Sequence, residues 1–387
     1  MKHSLRSVEL DSLCNIEYGT RVTRKKDAGT KYPVYGGGGK TFNIDKFNRE
    51  NVFIVSRFGM SEHCTRFVPG KFFLNDSGLS LTAKKEYKLL NEFLGYQLLL
   101  RSKDIYNLGR GTAQKNLDVK NFKKMKFKIT DSLDEQKRIV EKLDTLMEQI
   151  DKAIQNVEQN IQNAEDLFQS HLNEILIKKG DDWEEKKLGD VCKFFNGYAF
   201  KSQDAVDSSD TQLLRMGNLY LSKLDLNRKP VYYPDSFTKK YSNYILLPGD
   251  IVMSLTGTVG KNDYGFAVKI TKTAKKLLLN QRIMKIDVID SRVLTKSFLL
   301  NFLQSQFFLT KLYKTASGTR QANLSTKKIV TINIVFPKSI HTQKILDQQL
   351  LILKKNTLSL HSNYLQEIDA LNKLKKSILE KAFNGEL

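Results

Sequence analysis

From Glu135 to Leu176 apolar residues recur three and four positions apart, through Ile139, Leu143, Leu146, Ile150, Ala153, Val157, Ile161, Ala164, Leu167, Leu172 and Ile175, with no proline or glycine between them. Leu346, Leu350, Leu353, Thr357, Leu360, Tyr364, Ile368, Leu371, Leu374 and Ile378 keep the same rhythm near the end of the chain. The stripe is narrow and lasts about five heptads in each copy, which predicts a seam of coiled-coil type. A helix lying on its own domain shows a wider apolar face. At about 1.5 Å per residue, a helix of this length spans roughly 60 Å. It must bury its seam against something equally long, and the simplest partner is the other helix. Antiparallel pairing, with pseudo-twofold symmetry between the copies, is the expected arrangement.

The remaining sequence reads as mixed α and β. Asn51-Val-Phe-Ile-Val-Ser56, Asp250-Ile-Val-Met-Ser-Leu255 and Ile329-Val-Thr-Ile-Asn-Ile-Val-Phe336 are short apolar, β-branched runs that predict strands. Leu89–Leu100 and Lys296–Gln304 predict short buried helices. The expected boundaries are a globular block at 1–132, a helix at 133–179, a second block at 180–338 and a second helix at 339–387.

The two blocks repeat each other. Leu10-Asp-Ser-Leu-Cys-Asn-Ile16 followed by Gly19 matches Leu188-Gly-Asp-Val-Cys-Lys-Phe194 followed by Gly197, at an offset of 178. Gly111-Thr-Ala-Gln-Lys-Asn-Leu117 matches Gly318-Thr-Arg-Gln-Ala-Asn-Leu324 at an offset of 207, and that register persists through Gln136 and Gln343, Leu143 and Leu350, and Leu146 and Leu353. The chain is two copies of one plan. The second block is longer by the difference between the offsets, 29 residues.

A length of 387 residues suits several domains. No run of eighteen apolar residues and no apolar leader occur, so the sequence suggests a cytoplasmic protein with no membrane span. Cys14, Cys64 and Cys192 lie far apart, which excludes a disulfide framework and a thiolate zinc site, and His63 beside Cys64 lacks further ligands. The net charge of +21 points to a polyanionic partner. It is divided: +13 over residues 1–130, −5 over 131–180, +10 over 181–336 and +3 over 337–387. A uniformly basic surface would not separate into two blocks in this way.

The run Val34-Tyr-Gly-Gly-Gly-Gly-Lys-Thr-Phe42 is not a nucleotide-binding P-loop, because the first glycine of that motif would have to replace Val34 and no long apolar-periodic helix follows. Glycines beside a lysine also let a backbone approach a nucleic-acid phosphate. Candidate DNA contacts in the first block are therefore Arg21, Arg24, Lys25, Lys26, Gly37, Gly38, Lys40, Arg57, Arg110 and Lys115, with Arg215, Lys261, Arg282 and Arg320 in similar contexts in the second. Two basic modules on a rigid spacer suit duplex DNA that presents two sites at a fixed separation.

In its motifs the chain resembles the specificity subunit of type I restriction-modification enzymes. The resemblance rests on Gly-Thr-x-Gln-x-Asn-Leu at both block ends, Asp134-Glu-Gln-Lys-Arg-Ile139 opening the first helix, Trp183-Glu-Glu-Lys-Lys-Leu-Gly-Asp190, and Lys381-Ala-Phe-Asn-Gly-Glu-Leu387. It covers essentially the whole chain, although Pro337-Lys-Ser-Ile-His-Thr-Gln-Lys344 keeps only the Gln-Lys of the helix-opening pattern. The resemblance implies two target recognition domains, each reading half of a split, asymmetric DNA sequence, with the helix pair setting the unread gap. It implies a chain without catalysis or cofactor of its own, docking two methylation subunits that bind S-adenosylmethionine. Two restriction subunits that use ATP and Mg can join. A specificity subunit of a related two-subunit restriction system would share this architecture, and a non-enzymatic DNA-binding scaffold would share the charge; a membrane-surface scaffold would not explain the repeat. Gln114, Asn116, Gln321 and Asn323 can pair with adenine. Because the same segment occurs in both blocks, a structural role tying each block to its helix is expected instead.

Overall fold

The computed structural model describes residues 5–112, 114–177, 180–318 and 321–387. These form two compact units, one of Met1–Gln159 with Tyr364–Leu387 and one of Asn160–Asn363. Each unit therefore takes one block and half of each long helix.

In the first unit the strand Arg6–Glu9 pairs antiparallel with Lys126–Ile129, Arg6 opposite Ile129, which fastens the two ends of the block together. The chain then turns through buried Leu10 and Leu13 into a six-stranded sheet. Its order is Cys14–Tyr18, Gly78–Ala83, Arg49–Ser56, Thr65–Leu74, Tyr32–Gly36, Gly39–Ile44. Neighbours are antiparallel, except that Tyr32–Gly36 runs parallel to Thr65–Leu74. The apolar run Val52–Val55 is buried throughout because the sheet is covered on both faces. Successive side chains point to opposite faces. Phe53 and Val55 thus join the core of the helix Asn91–Leu100 and of Ile139 and Leu143, while Val52 and Ile54 pack with Val68, Phe72 and Leu74. Within this unit the long helices run antiparallel: Arg138 donates to the Leu387 carbonyl, and further along Asp151 pairs with Lys375.

The second unit follows the same plan with a split sheet. Trp183–Lys187 pairs antiparallel with Asn333–Pro337. One four-stranded sheet has the order Cys192–Asn196, Ile283–Val288, Ile251–Ser254, Ala267–Lys269; the other has Tyr232–Tyr233, Thr211–Leu214, Lys276–Leu279, Ile245–Leu246. Thr211–Leu214 again runs parallel to its neighbour Lys276–Leu279. Ile251 and Met253 face Phe298, Leu299 and Leu350, and Val252 faces the opposite core, repeating the alternation of the first unit. Part of the extra length is visible at one connection. Two residues, Gly37 and Gly38, join the paired strands of the first unit, whereas Arg215 to Val231 join Thr211–Leu214 to Tyr232–Tyr233. The strand expected from Ile329 begins only at Asn333, because Thr326–Ile329 form a helical turn that places Ile329 in the core.

The long helices are Leu133–Ile177 and Ile340–Asn384. Of the expected seam, Ile139, Leu143, Ile150, Val157 and Leu350 are buried and Leu146, Leu346, Leu353 and Leu371 are partly buried. Leu360 is 44% exposed, and Leu167 and Leu374 are exposed as well. The cause is phase. A straight α-helix drifts by about 20° per heptad against a seven-residue repeat. The row Leu346, Leu353, Leu360 consequently rotates out of the seam, while the row His361, Ile368, Lys375, Ala382 rotates in and is partly or fully buried.

Each long helix is stapled to its own block by a fully buried glutamine. Gln136 accepts from the Leu90 amide at 2.9 Å and donates to the carbonyls of Thr130 and Lys88. Gln343 accepts from the Thr295 amide at 2.8 Å and donates to the carbonyls of Pro337 and Val293.

Candidate nucleic-acid interface

Both blocks build the same tight turn where two central strands meet. In the first it is Asn75-Asp76-Ser77, where the Asn75 side chain accepts from the Ser77 amide and its carbonyl accepts from Gly78. In the second it is Asn280-Gln281-Arg282, with the Asn280 side chain accepting from Arg282 and its carbonyl from Ile283. Each turn lies under a glycine: Gly19 donates to the Gly78 carbonyl and Gly197 to the Ile283 carbonyl, both at 3.1 Å. A Cβ on either glycine would collide with the asparagine carbonyl below it, which accounts for the repeated Gly19 and Gly197. The residue after the central strand closes the frame, Arg57 donating to the Ser77 carbonyl and Leu255 to the Arg282 carbonyl, each at 2.8 Å.

The side chains on this shared frame differ. Arg57 lies between the rings of Tyr18 and Phe58, 4.9 and 4.4 Å from their centroids. Such cation–π contacts hold a guanidinium in one orientation. Ser77 turns inward and its Oγ accepts from the Gly37 amide. In the second block Leu255 is buried where Arg57 stands in the first, and Arg282 is exposed where Ser77 stands. Gln281 and Arg282 open on a cleft of about 680 Å³ that Arg215, Arg228 and Lys229 also line. Lys229 adopts φ +48°, a left-handed conformation that costs a lysine energy and suits a shaped site. Beside this cleft Tyr198 packs on Tyr241 with centroids 4.9 Å apart, and the Tyr241 hydroxyl keeps the Tyr198 phenol protonated above the ordinary tyrosine range.

Three glycines of the run are explained by their protein neighbours. Gly37 and Gly38 form a two-residue hairpin turn between Gly36 and Gly39. Gly37 is buried; its amide is taken by Ser77, and its carbonyl accepts from Ser56 and Arg66. A phosphate would find that N–H occupied. Gly38 is exposed at the tip, with nothing near the space a Cβ would fill.

The other expected contacts fall into three groups. Arg21, Arg24, Lys25, Lys26, Lys40 and Lys261 are exposed and make no ion pair among the described residues. Arg110 is paired with Asp118, so part of its charge is already neutralised, and Lys115 sits 4.0 Å from the centroid of the Tyr106 ring. Arg320 lies outside the described residues. The turn and the cleft also bring in Arg228, Lys229 and Gln281, with Tyr18 and Phe58, none of which the sequence reading named. No motif marks them, and neither offset at which the sequence repeats carries Asn75 onto Asn280.

The repeated Gly-Thr-x-Gln-x-Asn-Leu segment supports the same frame. Leu117 donates to the Arg57 carbonyl and Leu324 to the Leu255 carbonyl, while Gly111 and Gly318 share a positive φ. Its bonds run to the loop beyond the central strand, and the expected polar tie to the helix comes from Gln136 and Gln343 instead. Gln114 and Asn116 are exposed.

Among the described residues no group of three His, Cys, Asp or Glu side chains could hold a metal ion, and no helix is long and apolar enough to cross a membrane. Comparison with known proteins matches residues 5–160 and 180–370 to the family model of the type I restriction modification DNA specificity domain. The specificity subunit of the type I restriction enzyme MjaVIII of Methanocaldococcus jannaschii is 26% identical over 340 residues, which span 82% of this chain and 76% of that one. The specificity subunit of the type I restriction enzyme EcoAI of Escherichia coli is 32% identical over 160 residues, 41% of this chain and 26% of that one. A structure solved in a study of complex assembly and conformational transition of the type I restriction-modification system has the same fold, with a TM-score of 0.70 at 17% identity over the full length of both chains.

Proposed function

This chain belongs to the type I restriction-modification DNA specificity family, both of its blocks matching the family's domain, and from that membership we propose that it is the DNA-recognition subunit of a type I restriction-modification complex. Each block binds one half of a split, asymmetric duplex target, and the paired long helices set the number of unread base pairs between the halves. The chain holds no cofactor and performs no chemistry. Two methylation subunits dock on it and supply S-adenosylmethionine, and restriction subunits join with ATP and Mg. The complex works in the cytoplasm.

The observation that carries this reading is the turn built twice on a shared set of hydrogen bonds, with different side chains on each copy. Two readers of different half-sites need such an arrangement: one frame to hold the chain against a groove, and separate chemistry to distinguish the bases. Unpaired Lys25, Lys26, Lys40 and Lys261 supply the sequence-independent attraction to phosphate.

A related two-subunit restriction system would use the same kind of chain, and copurification separates the two. Affinity capture of the full-length protein from its own cells, followed by mass spectrometry, is expected to recover a methylation subunit and a separate ATP-dependent restriction subunit. Recovery of one large partner carrying both activities would select the two-subunit system.

A further inference from the structure

We infer that the matched turn is the base-reading element of each block, with Gln281 and Arg282 determining specificity in the second and Arg57 in the first. The inference rests on the function proposed above and assigns that function to particular atoms.

Three observations carry it. The first is that the backbone of the turn is duplicated while its chemistry is not: Asp76 and Ser77 in one block correspond to Gln281 and Arg282 in the other. Ser77 is spent on the Gly37 amide of its own block, whereas the exposed side chains of Gln281 and Arg282 serve no bond of the frame and are open to a ligand. The second is that each frame carries one guanidinium, placed on opposite sides of the same backbone hydrogen bond. Arg57 is the donor residue of that bond in the first block, and Arg282 is the acceptor residue in the second. The two blocks therefore present the arginine fork from different strands of one architecture, and so to different positions along a groove.

The third observation concerns mobility and pairing. Arg57 is pinned between two rings that are themselves 50% and 36% exposed. A flexible cation such as Lys25 suffices for a phosphate, whereas a fork already held in direction, like that of Arg57, loses less freedom when it meets a base edge. Neither the side-chain amide of Gln281 nor the Arg282 guanidinium hydrogen-bonds within the chain among the described residues, and both open on the basic cleft. A glutamine amide matches the N6 and N7 edge of adenine, and an arginine fork matches O6 and N7 of guanine. The second half-site accordingly contains an adenine read by Gln281 next to a guanine read by Arg282.

The test is methylome mapping in the source organism after chromosomal replacement with Gln281→Ala, Arg282→Ala and Arg282→Lys. Each alanine variant is expected to relax one base position in one half of the split motif, with roughly a 5- to 150-fold loss of discrimination there. The other half stays intact, which shows that the subunit still folds and assembles. If Arg282→Ala abolishes methylation altogether, Arg282→Lys decides: relaxation at one base supports the assignment. An unchanged motif in Gln281→Ala and Arg282→Lys would overturn it, and so would equal weakening at every site with the motif preserved. The absence of any split motif dependent on the unaltered protein would instead refute the function on which the inference rests.

Discussion

Gln136 and Gln343 show how much one side chain can decide. Each side-chain amide satisfies three backbone groups at once, one of them fully buried: the Leu90 amide with the Thr130 and Lys88 carbonyls, and the Thr295 amide with the Pro337 and Val293 carbonyls. A buried backbone group left unpaired costs about 1 to 3 kcal/mol. Gln343→Ala is therefore expected to destabilise its unit by about 2 to 4 kcal/mol, seen as a lower urea midpoint for one transition of the full-length protein; a change under about 0.5 kcal/mol would show that the staple is dispensable. The repeat placed both glutamines in register, but nothing in the sequence revealed their burial. A glutamine is normally exposed, and this one is buried only because loops some 46 to 50 residues away bring their backbone to it. The same limit applied to Arg57. Its charge was legible, whereas the two rings that fix it come from a distant strand and from its own neighbour.

At the scale of elements, the long helices were the most legible feature, because a heptad rhythm without glycine or proline has few alternatives. Their phase was not legible. Leu350 and Leu360 both belong to the apolar pattern, yet one is 2% and the other 44% exposed, since Leu350 also packs into the core of its own block while the row of Leu360 has drifted out of the seam. Leu350→Ala is expected to cost about 2 to 5 kcal/mol, and Leu360→Ala no more than about 0.5 kcal/mol. Chemical denaturation of both variants would check this, and equal losses would return Leu360 to the seam. Strand assignments depended on the same distinction. Val52–Val55 read correctly because apolar continuity matches a strand covered on both faces. The run from Ile329 misled because it spans a helical turn and a strand that feed one core.

Across the whole molecule, duplication and divided charge together pointed to two grips on a polyanion. Family membership and the twice-built turn support the same conclusion from independent directions. The glycine run, by contrast, has a reason inside the protein, since Gly36, Gly37 and Gly39 leave room for Ser77, Phe58 and Arg66, while Gly38 is exposed at the hairpin tip. The reading of the molecule as a two-part DNA recognition subunit is tested most directly by mapping methylated bases across the genome with and without the gene for this chain. The account predicts a split, asymmetric adenine-methylated motif that disappears on deletion and returns on complementation. A methylome identical in both strains, under conditions where the protein is made, would contradict it.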